Sequence, residues 1–319
     1  MLRAKRKILA MATILTVGAM SLAGCSKEKV EKEAEPFKVS LILTEGGAND
    51  QSFNQSSLEG ATRASEKYGV EVTYLESKQK SDYISNIETA VDDSDLIIGV
   101  GYEMSEAIKE AAEAYPEQNF AIVDGSFEEI PKNVKPILFN EQEAGYSVGL
   151  IAGKMTNTNK LSFIGGMNIP SVKGFAIGFE QGAKEVNPDI EVVEQYANSF
   201  TDAAKGRAMS QQMVNNGVDI IFTAGGGVNN GVYETAKDRN IKAIGVDMPC
   251  NYIEPEYIIT SALKRVDVGV ELTIKDLVEG NFSGGQAQVY DLSNQGVGYE
   301  DTTHITDEVR EFVNKKIGK

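Results

Sequence analysis

The chain has 319 residues, of which 47 are acidic and 31 are basic, so its formal net charge is −16 at pH 7. This balance argues against a nucleic-acid partner and against electrostatic binding to anionic lipid, because both require Lys and Arg. With one His and only two cysteines, Cys25 and Cys250, the sequence also predicts no disulfide framework, no metal site and no cofactor.

The first 24 residues have the pattern of a secretory signal peptide. A basic segment, MLRAKRK, precedes the apolar run ILAMATILTVGAM, which is too short to span a bilayer comfortably. The sequence LAGC that follows resembles a bacterial lipobox, which implies cleavage before Cys25 and attachment of lipid to its sulfur. The alternative is an ordinary signal peptide followed by an incidental cysteine.

Residues 25–36 are predicted to form a flexible tether. The segment CSKEKVEKEAEP alternates Lys and Glu and has almost no apolar residues, so it cannot bury enough surface to offset the entropy lost on ordering. A lipid at one end and a solvated spacer predict a protein held at a membrane surface rather than one that spans it.

From Phe37 onward, short apolar runs alternate with helical patterns. The predicted strands are KVSLIL, VEVTYL, DLIIGVG and FAIVDG, and the predicted helices are SFNQSSLEGATRASEKY, YISNIETAV and SEAIKEAAEAY. This alternation indicates βαβ units and a parallel sheet.

The same alternation begins again after VKPILFN. The predicted strands are KLSFIGG, IEVVEQYA, VDIIFTAGGG, KAIGVD, EYIITSAL and AQVYDL. The predicted helices are QEAGYSVGLIAGKM, VKGFAIGFEQGAKEV, DAAKGRAMSQQMVNNG, NNGVYETAKDRN, RVDVGVELTIKDLVEG and a last one near residues 307–316. The sequence therefore predicts two similar α/β halves that meet near Asn140 and again near Ser261.

Open parallel sheets bind ligands outside the carboxyl ends of their strands. The residues that follow the predicted strands are mostly glycines, carboxylates and aromatics: TEGGANDQSFN, Gly101–Tyr102, Asp124–Gly125, Gly165–Gly166, Asn198–Phe200, Gly225–Gly227, Asp247 and Lys264. If the halves face each other, these segments line one cleft.

Two short motifs look catalytic or phosphate-binding, and neither is expected to carry that chemistry. GYSVG fits the hydrolase elbow around Ser147, which could form a triad with His304, but the elbow needs a strand, a sharp turn and a helix. Here the spacing is helical, so we interpret Gly145 and Gly149 as small residues for close helix packing. GGGVNNG is one residue too long for the dinucleotide fingerprint, and a tight turn or a backbone site for a ligand oxygen both stay open.

Six longer segments together resemble the basic membrane protein family of nucleoside-receptor lipoproteins. They are GGANDQSFNQSSLEG, FNEQEAGYSVGLIAGKM, SFIGGMNIPSVKGFAIGFEQGAKEVNPDIEV, NSFTDAAKGRA, GVDM and TSALKRVD, and the similarity extends from about Phe37 to the C terminus. The resemblance implies a type I periplasmic-binding-protein fold, with two Rossmann-like lobes joined by three crossovers. It implies an N-lobe of residues 37–140 plus about 265–288, and a C-lobe of residues 141–264 plus about 289–319.

The resemblance also implies a set of ligand contacts. In the family's nucleoside receptors two phenylalanines sandwich the base, and Phe53 and Phe200 lie at the matching positions; stacking suits a flat, uncharged purine. The other implied contacts are Asn54 and Asp124 to the base edge, Asp247 and Lys264 to the sugar, and the backbone at Gly226.

Each of these residues also has a simpler interpretation. Either phenylalanine alone could be a core residue or part of a helix start. Asp247 and Lys264 could be a charge pair that closes the hinge, and Asp50 is expected to cap a helix rather than contact a ligand.

Two departures from the family pattern leave the base preference open. Thr44, with Glu45 beside it, lies where the nucleoside receptor has an Asp that contacts the base, and a hydroxyl offers different hydrogen bonds from a carboxylate. The segment DMPCNY also replaces the acidic residue and Gln that relatives often carry after the cleft Asp.

The sequence thus predicts a lipid-anchored, monomeric solute-binding protein on the extracytoplasmic face of the cell membrane. It would capture a nucleoside, deliver it to an ABC permease and catalyse no reaction. The alternatives are the same fold with another solute, such as a sugar or an autoinducer-like ligand, or less favoured functions as a surface adhesin or a hydrolase.

Overall fold

The structure, a computed structural model, describes residues 35–125 and 127–319. These residues contain two six-stranded sheets. The predicted signal peptide, Cys25 and nearly all of the predicted tether lie outside these residues. Within them, no helix has the length and apolar character that crossing a membrane requires.

The strands and helices alternate along most of the chain. The strands are β1 (Lys38–Leu43), β2 (Glu71–Glu76), β3 (Leu96–Val100), β4 (Asn119–Val123), β5 (Val134–Phe139), β6 (Lys160–Gly165), β7 (Glu191–Tyr196), β8 (Ile220–Ala224), β9 (Lys242–Asp247), β10 (Ile258–Lys264), β11 (Gln288–Tyr290) and β12 (Val297–Tyr299). The helices are α1 (Phe53–Tyr68), α2 (Asp82–Val91), α3 (Ser105–Ala114), α4 (Glu141–Met155), α5 (Pro170–Val186), α6 (Ala203–Asn215), α7 (Val228–Arg239), α8 (Val266–Val278) and α9 (Asp307–Lys316).

The two sheets have matching topologies. The first has the order β11-β5-β4-β3-β1-β2 and the second β12-β10-β9-β8-β6-β7. All neighbouring strands are parallel except β12, which pairs antiparallel with β10. The central strands β3 and β8 are buried along their whole length, as expected for strands covered by helices on both faces. The α/β class predicted from the alternation is confirmed.

Among the described residues the chain passes between the sheets three times. It leaves the first sheet after β5, returns after β10 to place α8 against α1, and crosses again between β11 and β12. The strands of the first sheet thus come from residues 38–139 and 288–290. The lobe boundaries given above remain a prediction, and this distribution of strands supports them.

Backbone hydrogen bonds tie the three crossing segments together. The N–H of Asn140 donates to the carbonyl of Tyr290 at 2.8 Å, and the N–H of Arg265 donates to Gly296 at 2.9 Å. The side chain of Glu143 accepts from the N–H of Leu292 at 2.7 Å. Because these bonds satisfy polar backbone groups of the connecting segments, the hinge is an ordered part of the fold.

Helices α4 and α5 approach so closely that glycine is required at their contact. A Cβ on Gly145 or Gly149 would lie 2.3 Å from the carbonyl oxygen of Phe175 or Phe179, respectively. On the other helix, a Cβ on Gly182 would lie 2.2 Å from the carbonyl oxygen of Tyr146. The interpretation of Gly145 and Gly149 as packing residues is therefore confirmed.

Three local elements differ from the sequence prediction. Strand β5 covers the segment VKPILF, which was not among the predicted strands. The short antiparallel strand β12 was not predicted, because three residues are too few for a recognisable alternation. A single 3₁₀ turn, Tyr102–Met104, precedes α3 and was also not predicted. The other predicted strands and helices are present, with small shifts at their ends.

Candidate functional site

A cleft lies between the two lobes at the carboxyl ends of their strands. Its volume, including the part open to solvent, is about 680 Å³, which is in the range of small-molecule sites. The lining residues include all eight that the resemblance singled out: Thr44, Phe53, Asn54, Asp124, Phe200, Gly226, Asp247 and Lys264. The fold therefore brings together residues that lie more than 200 positions apart in sequence.

Each lobe contributes one of the two predicted phenylalanines. Phe53 is the first residue of α1, and Phe200 lies in the loop before α6; both are half-buried. The ring of Phe200 packs on Gly166, where a Cβ would come within 2.4 Å of it. Half-buried aromatic faces of this kind are available for stacking against a flat ligand.

The glycine turn after β8 supports Phe200. Gly226 has a φ of 58°, a left-handed conformation that favours glycine, and a Cβ there would lie 2.9 Å from the carbonyl oxygen of Phe200. The N–H of Gly227 donates to that oxygen at 2.8 Å, and the N–H of Gly225 donates to Asn229 at 2.8 Å. The tight-turn interpretation of GGGVNNG is thus confirmed, and Gly226 also lines the cleft.

A buried cation joins the lobes at the base of the cleft. Lys264, whose side chain is 2% exposed, places its Nζ 2.5 Å from Oδ2 of Asp124 and 2.8 Å from Oε1 of Glu141. The same Nζ lies 5.2 Å from the ring centroid of Phe53, within range of a cation–π interaction. The sequence suggested that Lys264 pairs with Asp247 to close the hinge. This partner is wrong, because Lys264 forms its ion pairs with Asp124 and Glu141.

The charges in this cluster shift one another's pKa values. Burial lowers the pKa of Lys264, but the charges of Asp124, Glu141 and Asp247 outweigh burial and raise it well above its usual value. Burial raises the pKa of Glu141 to about 7, although the neighbouring Lys264 opposes that shift. Lys264 therefore stays charged, and a proton taken up near neutral pH goes to Glu141.

The two cleft aspartates have unusual backbone conformations. Asp124 and Asp247 have φ values of 61° and 67°, each at the carboxyl end of its strand. Such left-handed conformations of non-glycine residues cost about 1–3 kcal/mol and cluster at functional sites. The Oδ1 atom of Asp124 is buried and, among the described residues, has no hydrogen-bond partner, so it is free to accept from a ligand in the cleft.

Asp247 is held by the opposite lobe. Its Oδ2 accepts a hydrogen bond from the hydroxyl of Ser52, the residue just before α1. Burial raises the pKa of Asp247 to about 6, while Lys264 and the Ser52 hydroxyl oppose the shift.

On the N-lobe side, Thr44 fixes the orientation of Asn54. Both the N–H and the hydroxyl of Thr44 donate to Oδ1 of Asn54, at 3.3 and 3.1 Å. Since a backbone N–H can only donate, the amide oxygen must face Thr44.

Asp50 acts as a cap for α1, as the sequence predicted. Its carboxylate accepts from the N–H groups of Ser52, Asn54 and Gln55 at 2.9–3.1 Å, although it also lines the cleft. Burial raises the pKa of Asp50.

Sequence reasoning missed Glu141 and Ser52. Glu141 opens α4, where a glutamate is ordinarily explained by the helix dipole, and Ser52 lies among several polar residues of one turn. The only sequence signal for either residue was its position. Glu141 lies next to a predicted crossing point, and Ser52 lies next to Phe53.

The hydrolase interpretation of GYSVG is contradicted by its surroundings. Ser147 is buried inside α4 and donates to the carbonyl of Glu143 at 2.8 Å. The ring of His304 lies 2.6 Å from the carbonyl oxygen of Pro255. The Ser147 hydroxyl thus lies in a helix interior and not on a strand-to-helix elbow.

Comparison with known proteins agrees with this architecture. Residues 37–319 match the Bmp family, described as "ABC transporter substrate-binding protein PnrA-like". The chain belongs to this family. Substrate-binding proteins of the Bmp family are extracytoplasmic and typically non-enzymatic.

Individual relatives cover most of the chain. It is 33% identical to the "ABC transporter nucleoside-binding protein BmpA" of Lactococcus lactis, over 98% of this chain and 95% of that protein. It is 36% identical to the "CD4+ T-cell-stimulating antigen" of Listeria monocytogenes, over 91% of this chain and 88% of the relative. An ABC transporter solute-binding protein from Aeropyrum pernix, of known crystal structure, superposes with a TM-score of 0.80 at 32% identity, over 89% of this chain and 81% of that one. The type I periplasmic-binding-protein fold is therefore confirmed.

Proposed function

We propose that this Bmp-family protein is a lipid-anchored receptor that captures a nucleoside, and most readily a purine nucleoside, for an ABC importer. The observation that carries the proposal is one cleft that combines Phe53 and Phe200, from opposite lobes, with a buried carboxylate and a buried ammonium. Aromatic faces suit the base, and Asp247 and Lys264 suit the hydroxyls of a ribose.

The similarity to the Lactococcus lactis nucleoside-binding protein supports the same ligand class. In this proposal the base lies between the two phenylalanines, its edge meets Asn54 and Asp124, and the sugar meets Asp247, Lys264 and the turn at Gly226. Thr44 acts through Asn54, whose amide oxygen it occupies.

Calorimetric titration of the soluble body, residues 37–319, tests the proposal. The body is first unfolded and refolded to remove bound ligand, and is then titrated with adenosine, guanosine, inosine, uridine, cytidine and ribose. We expect submicromolar binding of at least one nucleoside and no binding of ribose alone. Absence of heat and of thermal stabilisation with every nucleoside would reject the proposed ligand class and favour another small solute in the same cleft.

Anchoring and delivery are separate parts of the proposal with separate tests. Cys25→Ser in the full-length chain should move the protein from the membrane fraction to the soluble fraction, whereas Cys250→Ser, at the buried free thiol, should leave it membrane-bound. Deletion of the cognate permease should abolish uptake of the nucleoside while leaving the receptor's affinity unchanged. Membrane retention of the Cys25 variant, or uptake without a permease, would contradict these parts.

A further inference from the structure

Ser52 makes a side-chain hydrogen bond across the cleft to a carboxylate of the other lobe. It lies just before α1, whereas Asp247 ends β9, 195 positions later. Ser52 is 1% exposed and Asp247 is 7% exposed. The bond therefore exists only when the two lobes are together.

The bond leaves one oxygen of the Asp247 carboxylate available to a ligand. Ser52 occupies Oδ2 of Asp247, while no hydrogen bond to Oδ1 is found among residues 35–125 and 127–319. Because Asp247 lines the cleft, that second oxygen can accept from a ligand. A carboxylate fixed at one oxygen loses less rotational freedom when the other binds, so its ligand bond is preorganised.

We propose that Ser52 is a positioning residue for the ligand: its hydroxyl fixes the Asp247 carboxylate when the lobes close, and thereby slows ligand release. This inference rests on the proposed function, because it assumes that Asp247 accepts from the bound solute. Ser52 reaches the ligand through Asp247 and contributes mainly to the dissociation rate, since the bond forms after the ligand has entered the open cleft.

The electrostatic surroundings of Asp247 make the role measurable by pH. The charged and titratable groups around it are Lys264 at the end of β10, Asp50 before α1, Asp124 after β4, Cys250 in the following loop and Tyr233 of α7. Burial raises the pKa of Asp247, and the Ser52 hydrogen bond opposes that shift by favouring the charged form. Removing the hydroxyl should raise the pKa further.

Three variants separate this role from a merely structural one. Ser52→Ala removes the donor, and Ser52→Thr restores it. Ser57→Ala removes an equally buried hydroxyl in the adjoining helix α1, which within the described part of the chain donates to the carbonyl of Phe53 at 3.0 Å. Stopped-flow association and dissociation rates are measured with the tightest-binding nucleoside from pH 5 to 8. The Asp247 carboxyl is titrated by NMR in the nucleoside complex, where the lobes are closed.

We expect Ser52→Ala to raise the dissociation rate about tenfold or more, as for loss of a hydrogen bond to a charged group, with little change in association rate. The wild-type affinity should fall as the pH drops below about 6, where Asp247 becomes protonated. In Ser52→Ala this fall should begin at higher pH. Ser52→Thr should recover both properties, and Ser57→Ala should leave them unchanged.

The outcomes also distinguish this inference from the proposed function. If the wild type binds nucleosides and Ser52→Ala matches it in dissociation rate and pH midpoint, the positioning role is wrong and the function stands. If no nucleoside binds, the function is wrong, and the positioning role is overturned with it, because Asp247 then accepts from no bound nucleoside.

Discussion

At the scale of single residues, Lys264 is the charge around which the cleft is organised. Its ammonium bonds Asp124 from one lobe and Glu141 from the start of α4, and all three side chains are almost fully buried. A buried ion pair adds little net stability compared with apolar residues, but loss of one partner leaves the others unpaired in a poor solvent for charge. The cluster is therefore more important for geometry than for overall stability.

Replacing Lys264 by Met should destabilise the protein by about 3–5 kcal/mol near pH 8, because Asp124 and Glu141 lose their cation. The loss should be smaller at pH 5, where Glu141 can take up a proton. Urea unfolding of the wild type and variant at both pH values measures this. Lys275→Met, which removes an exposed i,i+4 pair with Glu279, should change the unfolding free energy by less than about 0.5 kcal/mol. Equal effects of the two substitutions would contradict the account.

Glu141 should make stability depend on pH between about 4.5 and 7. Its pKa is raised to about 7 in the folded protein, so the folded state binds more protons than the unfolded state in that window, and the unfolding free energy falls as pH rises. Glu141→Gln should reduce this fall by on the order of 1 kcal/mol, measured by urea unfolding at pH 5 and 8. The exposed Glu113→Gln serves as the control, and parallel curves for wild type and Glu141→Gln would reject the assignment.

The residues of the site differ in how well sequence could locate them. Phe53, Asp124, Phe200 and Asp247 follow predicted strands closely, so the rule that ligands bind at strand ends, together with the family resemblance, placed them in one cleft. Glu141 could not be found in this way, because its partner Lys264 is 123 positions away and the pairing exists only after the lobes have assembled.

At the scale of secondary structure, the close contact between helices α4 and α5 determines the packing of the part of the C-lobe that lies next to the hinge. Gly182→Val should destabilise the protein by more than about 3 kcal/mol, because a Cβ at that position would lie 2.2 Å from the Tyr146 carbonyl oxygen and overpacking forces the backbones apart. Thermal and urea unfolding measure the change.

The control for this prediction is Gly298→Ala in β12, where the nearest atom to an added Cβ is Lys319 Nζ at 3.7 Å. It should change stability by less than about 1 kcal/mol. A Gly182 variant as stable as this control would show that the helices can separate without cost.

Sequence periodicity predicted the long helices and strands because the pattern of buried residues in each is regular along its whole length. Strand β3 is apolar throughout, and α5 repeats its buried residues on one face. Strand β12 carries no such pattern in its three residues, and it is defined only by pairing with β10 after the third crossing. Short edge elements of this kind depend on tertiary contacts that periodicity does not report.

At the scale of the whole molecule, two polar side-chain contacts among the described residues join the lobes across the cleft. One is the Ser52–Asp247 hydrogen bond, and the other is the Lys264–Asp124 ion pair. Asp124, Asp247 and Lys264 also line the cleft, so closure and ligand binding involve the same side chains. The three crossing segments are tied to one another, which leaves rotation about a common hinge as the expected movement between open and closed forms.

The central claim is that a nucleoside base stacks between Phe53 and Phe200. Calorimetric affinity of the wild type and Phe53→Ala for inosine tests it most directly, with Phe312→Ala as a control at a half-buried phenylalanine of α9. We predict that Phe53→Ala weakens binding roughly 10- to 100-fold, the usual loss for one stacked base, and that Phe312→Ala keeps the wild-type affinity. Wild-type affinity in a folded Phe53→Ala protein would contradict the account.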